Sequence, residues 1–179
     1  MSNNDNNNME DEDDQFNQAF GEHTGISEGW RRWIGCIKNN EARDIYNNEI
    51  INLGLGSDIT ALFNNDAWKL LGGYIAKNTH LKSIKICHCN DEQMVLLFSG
   101  LRRSSSLKRL ELSNNEFGIE GVRSMIPFLE NSPSISDIRF FNNFNTECFE
   151  ALISALHNKG VERLQLENSP NTVCNIEDI

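Results

Sequence analysis

One spacing of aliphatic residues recurs five times along this 179-residue chain, and few folds can accommodate it. The phrase is apolar, two residues, apolar, one residue, apolar, two residues, small polar. It runs through Ile50, Leu53, Leu55 and Asp58, then Leu81, Ile84, Ile86 and Cys89, then Leu107, Leu110, Leu112 and Asn115. It returns as Ile135, Ile138, Phe140 and Asn143, and as Val161, Leu164, Leu166 and Ser169. Starts at 50, 81, 107, 135 and 161 give offsets of 31, 26, 28 and 26, a period that belongs to stacked arrays.

Offsets of that length suit units in which each strand is followed by a full helix. Between the phrases, apolar residues shift to helical spacing. Thr60 to Thr79 aligns Trp68, Leu71, Tyr74 and Ile75, and Asp91 to Arg103 aligns Met94, Leu97, Phe98 and Leu101. Gly118 to Glu130 aligns Val122, Met125, Ile126 and Leu129, and Thr146 to Asn158 aligns Phe149, Leu152, Ile153 and Leu156. Pro127 predicts a kink, or a short helix over Glu120 to Ser124 that continues irregularly to Leu129, because proline removes a backbone bond and crowds the preceding turn. Small polar residues, Asn78, Ser104, Ser132 and Asn158, stand three residues before each later phrase and suit the turn from helix into strand.

The strand phrase, as in Leu107 to Asn115 (LKRLELSNN), followed by a helix such as Gly118 to Leu129 (GIEGVRSMIPFL), resembles the leucine-rich repeats of ribonuclease-inhibitor type. The resemblance covers Ile50 to Ile179 well and Ile26 to Asn40 weakly. It implies an α/β leucine-rich-repeat solenoid, a short horseshoe arc with a parallel β-sheet on the concave face and helices on the convex face. Such repeats serve inhibitors, receptors, scaffolds and regulators of small GTPases, so the fold alone does not name a function.

The domain expected on these grounds is residues 25–179. It opens with a degenerate capping repeat at 26–49, in which Ser27 caps a helix carrying Trp30, Trp33, Ile34 and Ile37 on one face. Trp30 aligns with Trp68 and Asn40 with Asn78, with a longer connection around Glu41 to Asn47. The three tryptophans read as core. At the other end no helix follows the strand Val161 to Leu166. A C-terminal cap is therefore expected to be missing, leaving an unpaired edge for self-association.

Formal net charge is −10, but residues 1–30 hold eight acidic side chains and no Lys or Arg. Residues 1–24 are rich in Asn, Asp and Glu, with Phe16 and Phe20 as their large apolar side chains, and composition predicts a disordered, solubilising tail. The sequence shows no secretory signal, no run of ~20 apolar residues, no Asn-x-Ser/Thr site and an odd number of cysteines, five. These features predict a cytoplasmic or nuclear protein without a membrane partner.

Catalytic, cofactor and metal sites are not expected. Cys87, His88 and Cys89 lack the second ligand pair that structural zinc needs, and Cys89 occupies the turn position of Asn115 and Asn143. Cys148 and His157 stand nine apart and cannot meet on one straight helix. No glycine-rich phosphate loop or recognisable Ser-His-Asp order occurs. Lys and Arg do not outnumber acidic residues even in the repeats, which argues against nucleic acid.

The remaining candidate is the solvent side of the sheet, because side chains alternate across a strand. One row reads Asn52, Ser83, Arg109, Asp137, Arg163, the next Gly54, Lys85, Glu111, Arg139, Gln165, and the third Gly56, Cys87, Ser113, Phe141, Glu167. The expected protein-binding residues are Lys85, Arg109, Glu111, Asp137, Arg139, Phe141, Arg163 and Gln165. Arg109 is expected to pair with Asp137 and Lys85 with Glu111, while Phe141 beside the arginines has an interface composition. Five strands span roughly 20 Å, a reach that fits a peptide or one face of a small protein domain. The resemblance leaves two other readings open. One is a small-GTPase regulator similar to the Ran GTPase-activating proteins, and the other is a shortened paralogue with no selected partner.

Overall fold

Alternation of period 2 with period 3.6 builds the molecule. The computed structural model describes residues 5–42, 52–115, 118–141, 146–157, 159–168 and 172–174. Its strands are β1 (Asn52–Leu55), β2 (Ser83–Cys87), β3 (Arg109–Ser113), β4 (Asp137–Phe141), β5 (Arg163–Asn168) and β6 (Thr172–Cys174). Helices are α1 (Asp5–Phe20), α2 (Glu28–Lys38), α3 (Ser57–Thr60), α4 (Asn65–Lys77), α5 (Asp91–Gly100), α6 (Ile119–Asn131) and α7 (Thr146–Leu156). The strands form one sheet in sequence order, parallel from β1 to β5.

Alternate strand residues fall on one face and are buried there: Ile84 and Ile86, Leu110 and Leu112, Ile138 and Phe140, Leu164 and Leu166. Against them lie Trp68, Leu71, Phe98, Met125, Phe128 and Leu152, all buried. Each buried Leu or Phe contributes about 1.5–3 kcal/mol, so this continuous layer outweighs any surface interaction in the fold. Helices α4 to α7 pack in succession, each on the next. The closest approach is at Gly72 in α4, where a β-carbon would lie 2.1 Å from the Leu97 carbonyl oxygen of α5. Asn64 caps α4 by accepting from the Ala67 N–H at 2.8 Å, and Asn90 and Gln93 form a reciprocal capping box on α5.

The corners between strand and helix are buried and must satisfy their own backbone. Asn115 does this for one row: its side chain accepts from the Cys89 N–H at 2.8 Å and donates to the Ile86 carbonyl at 3.0 Å. Asn78, Ser104 and Ser132, all nearly inaccessible, serve the opposite corner. Asn78 accepts from the N–H groups of His80 and Leu81 and donates to the Ile37 carbonyl, and the Ser104 N–H donates to the Ser132 hydroxyl at 2.8 Å. Lys159 closes this series by donating to the Leu129 and Ser132 carbonyls. Asn143 and Asn158 lie outside the described residues, as does most of the longer connection expected after Glu41.

Four expectations are corrected. The acidic tail is not disordered over its described part, because α1 docks with Ala19 and Phe20 buried and Phe16 against the core. Phe16 and Phe20 stand one helical turn apart, and both rings meet Tyr74, with centroids at 6.3 and 6.5 Å. Of the two expectations for α6, the short helix ending near Ser124 is the one corrected: α6 continues through Pro127 to Asn131, with Val122, Met125, Phe128 and Leu129 buried on both sides of the proline. The C-terminal edge is partly covered: β6 pairs antiparallel with β5, matching Leu166 with Cys174 and Asn168 with Thr172. Trp68 is fully buried, but Trp30 and Trp33 are half-buried and pack edge to face at 5.5 Å. Among the described residues no helix is long and apolar enough to cross a membrane.

The corner hydrogen bonds can be tested. Asn115→Ala removes the acceptor of the buried Cys89 N–H and one of the donors to the Ile86 carbonyl, at about 1–3 kcal/mol for the orphaned N–H. A matching fall in the urea midpoint, with the slope of the transition unchanged, is expected.

Candidate functional site

The face of the sheet away from the helices carries the rows read from the sequence, in the same register. Ser83, Arg109, Asp137 and Arg163 stand side by side, as do Lys85, Glu111, Arg139 and Gln165, and Cys87, Ser113, Phe141 and Glu167. Lys85, Arg163 and Glu167 are exposed. Arg109, Glu111, Asp137, Arg139, Phe141 and Gln165 are half-buried, and Ser113 is buried. Phe141 is thus less open to solvent than its place in the pattern implies.

Neighbouring strands lie ~4.8 Å apart, so opposed like charges would repel and opposed unlike charges meet. Lys85 Nζ lies 2.6 Å from Glu111 Oε1, and Arg109 Nε donates to Asp137 Oδ2 at 2.7 Å. Arg139 adds an interaction that the row pattern does not supply. Its Nε donates to Asp137 Oδ1 and its Nη2 to Oδ2, both at 2.9 Å. Residues two apart on a strand share a face, and the arginine is long enough to reach back. Asp137 therefore lies between two guanidinium groups, while Arg163 has no ion-pair partner among the described residues.

These interactions set the electrostatics of the face. Burial alone would raise the Asp137 carboxyl, but the hydrogen bonds from Arg139 and Arg109 overcome it and hold the group below the usual carboxylate range. The hydrogen bond with Glu111 pushes the Lys85 ammonium up, and the bond with Asp137 does the same for Arg139. Cys87, at the edge of the face, has its thiol pushed up by burial, a state that disfavours the nucleophilic thiolate. Burial lifts Cys89 further, to about 12, and its Sγ lies 3.9 Å from the Cys87 carbonyl. His88 between them holds a left-handed backbone, φ 59°, at the position where Asn114 has φ 52° one repeat later. The three residues are a strand ending and its turn, and among the described residues no group of three or more His, Cys, Asp or Glu is arranged to hold a metal.

Chemically, the face offers fixed charges, an aromatic ring and, at Arg163, a guanidinium with no ion-pair partner among the described residues. No protein-family model matches the chain, and no curated protein matches it either.

The Asp137 cluster predicts an acid limb to stability. Its depressed carboxyl contributes stability that is present above the unfolded value of about 3.9 and is lost as pH falls through the lower folded value. Asp137→Asn removes that contribution. Its melting temperature is expected to fall less steeply than that of the wild type between about pH 5 and pH 2.

Proposed function

We propose that the chain is a non-catalytic leucine-rich-repeat solenoid of ribonuclease-inhibitor-like type, whose open sheet face binds a protein partner. The observation carrying this reading is that no described element covers that face from β2 to β5, although its side chains are already ordered by ion pairs. Preordered side chains lose little entropy when a partner arrives. Exposed pairs of this kind contribute only about 0–1 kcal/mol to folding, so their fixed geometry is worth more to recognition than to stability.

Within the face, Arg139 and Phe141 stand on β4, with Glu111 and Gln165 flanking the arginine and Ser113 and Glu167 flanking the ring. An arginine beside an aromatic ring, half-withdrawn from water, is the composition of an interface anchor. The sheet offers a surface suited to a peptide or one face of a small domain. Cys87 and Cys89 are free thiols, which suits a reducing cytoplasmic or nuclear setting.

The test is a quantitative pull-down comparing wild type with Arg139→Ala/Phe141→Ala, after both pass a thermal melt. Asp137 keeps Arg109 in the variant, so the fold is expected to survive. A partner recovered by the wild type and lost by the variant supports the reading. Equal recovery of every protein by both sinks it.

A further inference from the structure

The helix that composition reads as a tail covers a surface of opposite character. Six of the sixteen residues of α1 are acidic, with five consecutive at Glu10 to Asp14, and none is basic. On the body, Lys38 of α2 pairs with Asp13, and Lys77 of α4 lies 3.0 Å from Glu12. Between these cations is an aromatic floor. Phe20 packs edge-on against Phe63 at 5.5 Å, and both Phe16 and Phe20 lie on Tyr74. Lys38 also stands over the Phe16 ring, 5.4 Å from its centroid. The surface is thus built for a helix with acidic residues one turn before paired aromatics.

As the occupant of that surface, α1 fits imperfectly in two respects. A groove of about 530 Å³ remains beside it, bordered by Gln15, Lys69, Gly73, Tyr74 and Lys77. Tyr74 is 4 % exposed, and its hydroxyl has no hydrogen-bond partner among the described residues. Burial, with the nearby Glu12 and Asp13 carboxylates, pushes that phenol up to about 12 and keeps it a donor without an acceptor. A side-chain carboxylate or amide on a better-fitting helix would supply one. The held helix is also weak alone: its Asn run and like charges disfavour helix, so it depends on docking.

We propose that the α2–α4 surface under α1 is a docking site for an acidic, aromatic-anchored amphipathic helix of a partner protein, with α1 as its resident competitor. Tethering presents α1 at an effective concentration in the millimolar range. A partner therefore competes below that concentration by filling the groove and pairing Tyr74, whereas the α1 sequence itself displaces the tethered copy only in excess of it. This surface is separate from the open sheet face and does not depend on the function proposed there.

The probe is a fluorescein-labelled peptide of residues 5–24, titrated by anisotropy into the full chain. Three forms of the chain are compared: wild type, Asp13→Lys/Phe16→Ala, which loosens α1, and Lys38→Glu/Lys77→Glu. Loosening α1 is expected to tighten peptide binding about tenfold or more, the scale expected when a tethered competitor is weakened. The Lys38→Glu/Lys77→Glu chain is expected to lose the peptide and to regain binding when the peptide carries Glu12→Lys/Asp13→Lys, a rescue that a merely structural role would not give. Hydrogen exchange on the wild type guards against misfolded variants: added peptide should speed exchange in residues 5–20 and leave α5 and α6 unchanged. Absence of peptide binding to a folded Asp13→Lys/Phe16→Ala chain, or unaltered exchange at saturating peptide, overturns the proposal. So does a wild-type dimer in light scattering whose α1 crosslinks to a second copy, because the occupant would then be the chain itself.

Discussion

Everything else in the molecule depends on the satisfaction of backbone groups at the buried corners between strand and helix. Stacking identical aliphatic layers is favourable wherever residues such as Leu110, Ile138 and Leu164 come into register. The chain must nevertheless turn twice per repeat inside the stack, and a corner with unpaired amides would cost as much as a buried leucine contributes. Asn115 meets this need at one corner, and Asn78, Ser104 and Ser132 at the other. Each bond joins one repeat to the backbone of its neighbour. The polar corners therefore fix the spacing at which the apolar layers can meet, which non-directional hydrophobic packing could not do.

The spacing in turn explains the open face of the sheet. Once the aliphatic residues are in register, the residues between them are also in register, and side chains of successive repeats stand opposite one another. Lys85, Glu111 and Arg139 alternate in sign, as do Arg109, Asp137 and Arg163. The cross-strand pairs keep the face from repelling itself while leaving it polar. The ladder stops at Arg163, where the row has no further described strand to supply a carboxylate.

Register, strand parity and the helical faces are legible in the sequence because they repeat, and repetition averages out local exceptions. Even the turn role of Asn115 can be read, since its amide offers both a donor and an acceptor. The features that do not repeat are harder to see. Composition points to disorder for α1, although Phe16, Ala19 and Phe20 form a short apolar stripe. Six acids outvote this stripe because the opposing cations, Lys38 and Lys77, are distant in sequence. The local cost of Pro127 argues for a break, whereas packing of Phe128 and Leu129 decides the outcome. Strand β6 has no repeat phrase, and its pairing rests on a return of the chain that spacing alone cannot predict. Arg139 falls in its row as the pattern requires, but its bond back to Asp137 depends on side-chain length.

The first and last described layers of the sheet are covered with different materials. A stack of repeats buries its interior layers automatically, but the outer layers have no neighbour. At the C-terminal side, β6 supplies backbone partners to part of β5. At the N-terminal side, α1 and α2 pack on α4, with Phe20 inserted among aromatic rings and carboxylates set against lysines. Because α1 has little helical tendency of its own, its folding and docking are one event, and weakening either weakens both. A cover of that kind can be released in a way that a repeat cannot, since removing a repeat would strip the aliphatic layer while removing α1 exposes mainly the aromatic floor around Tyr74. The surface shielded by a non-repeating element is therefore the one whose cover can leave without breaking the aliphatic layer.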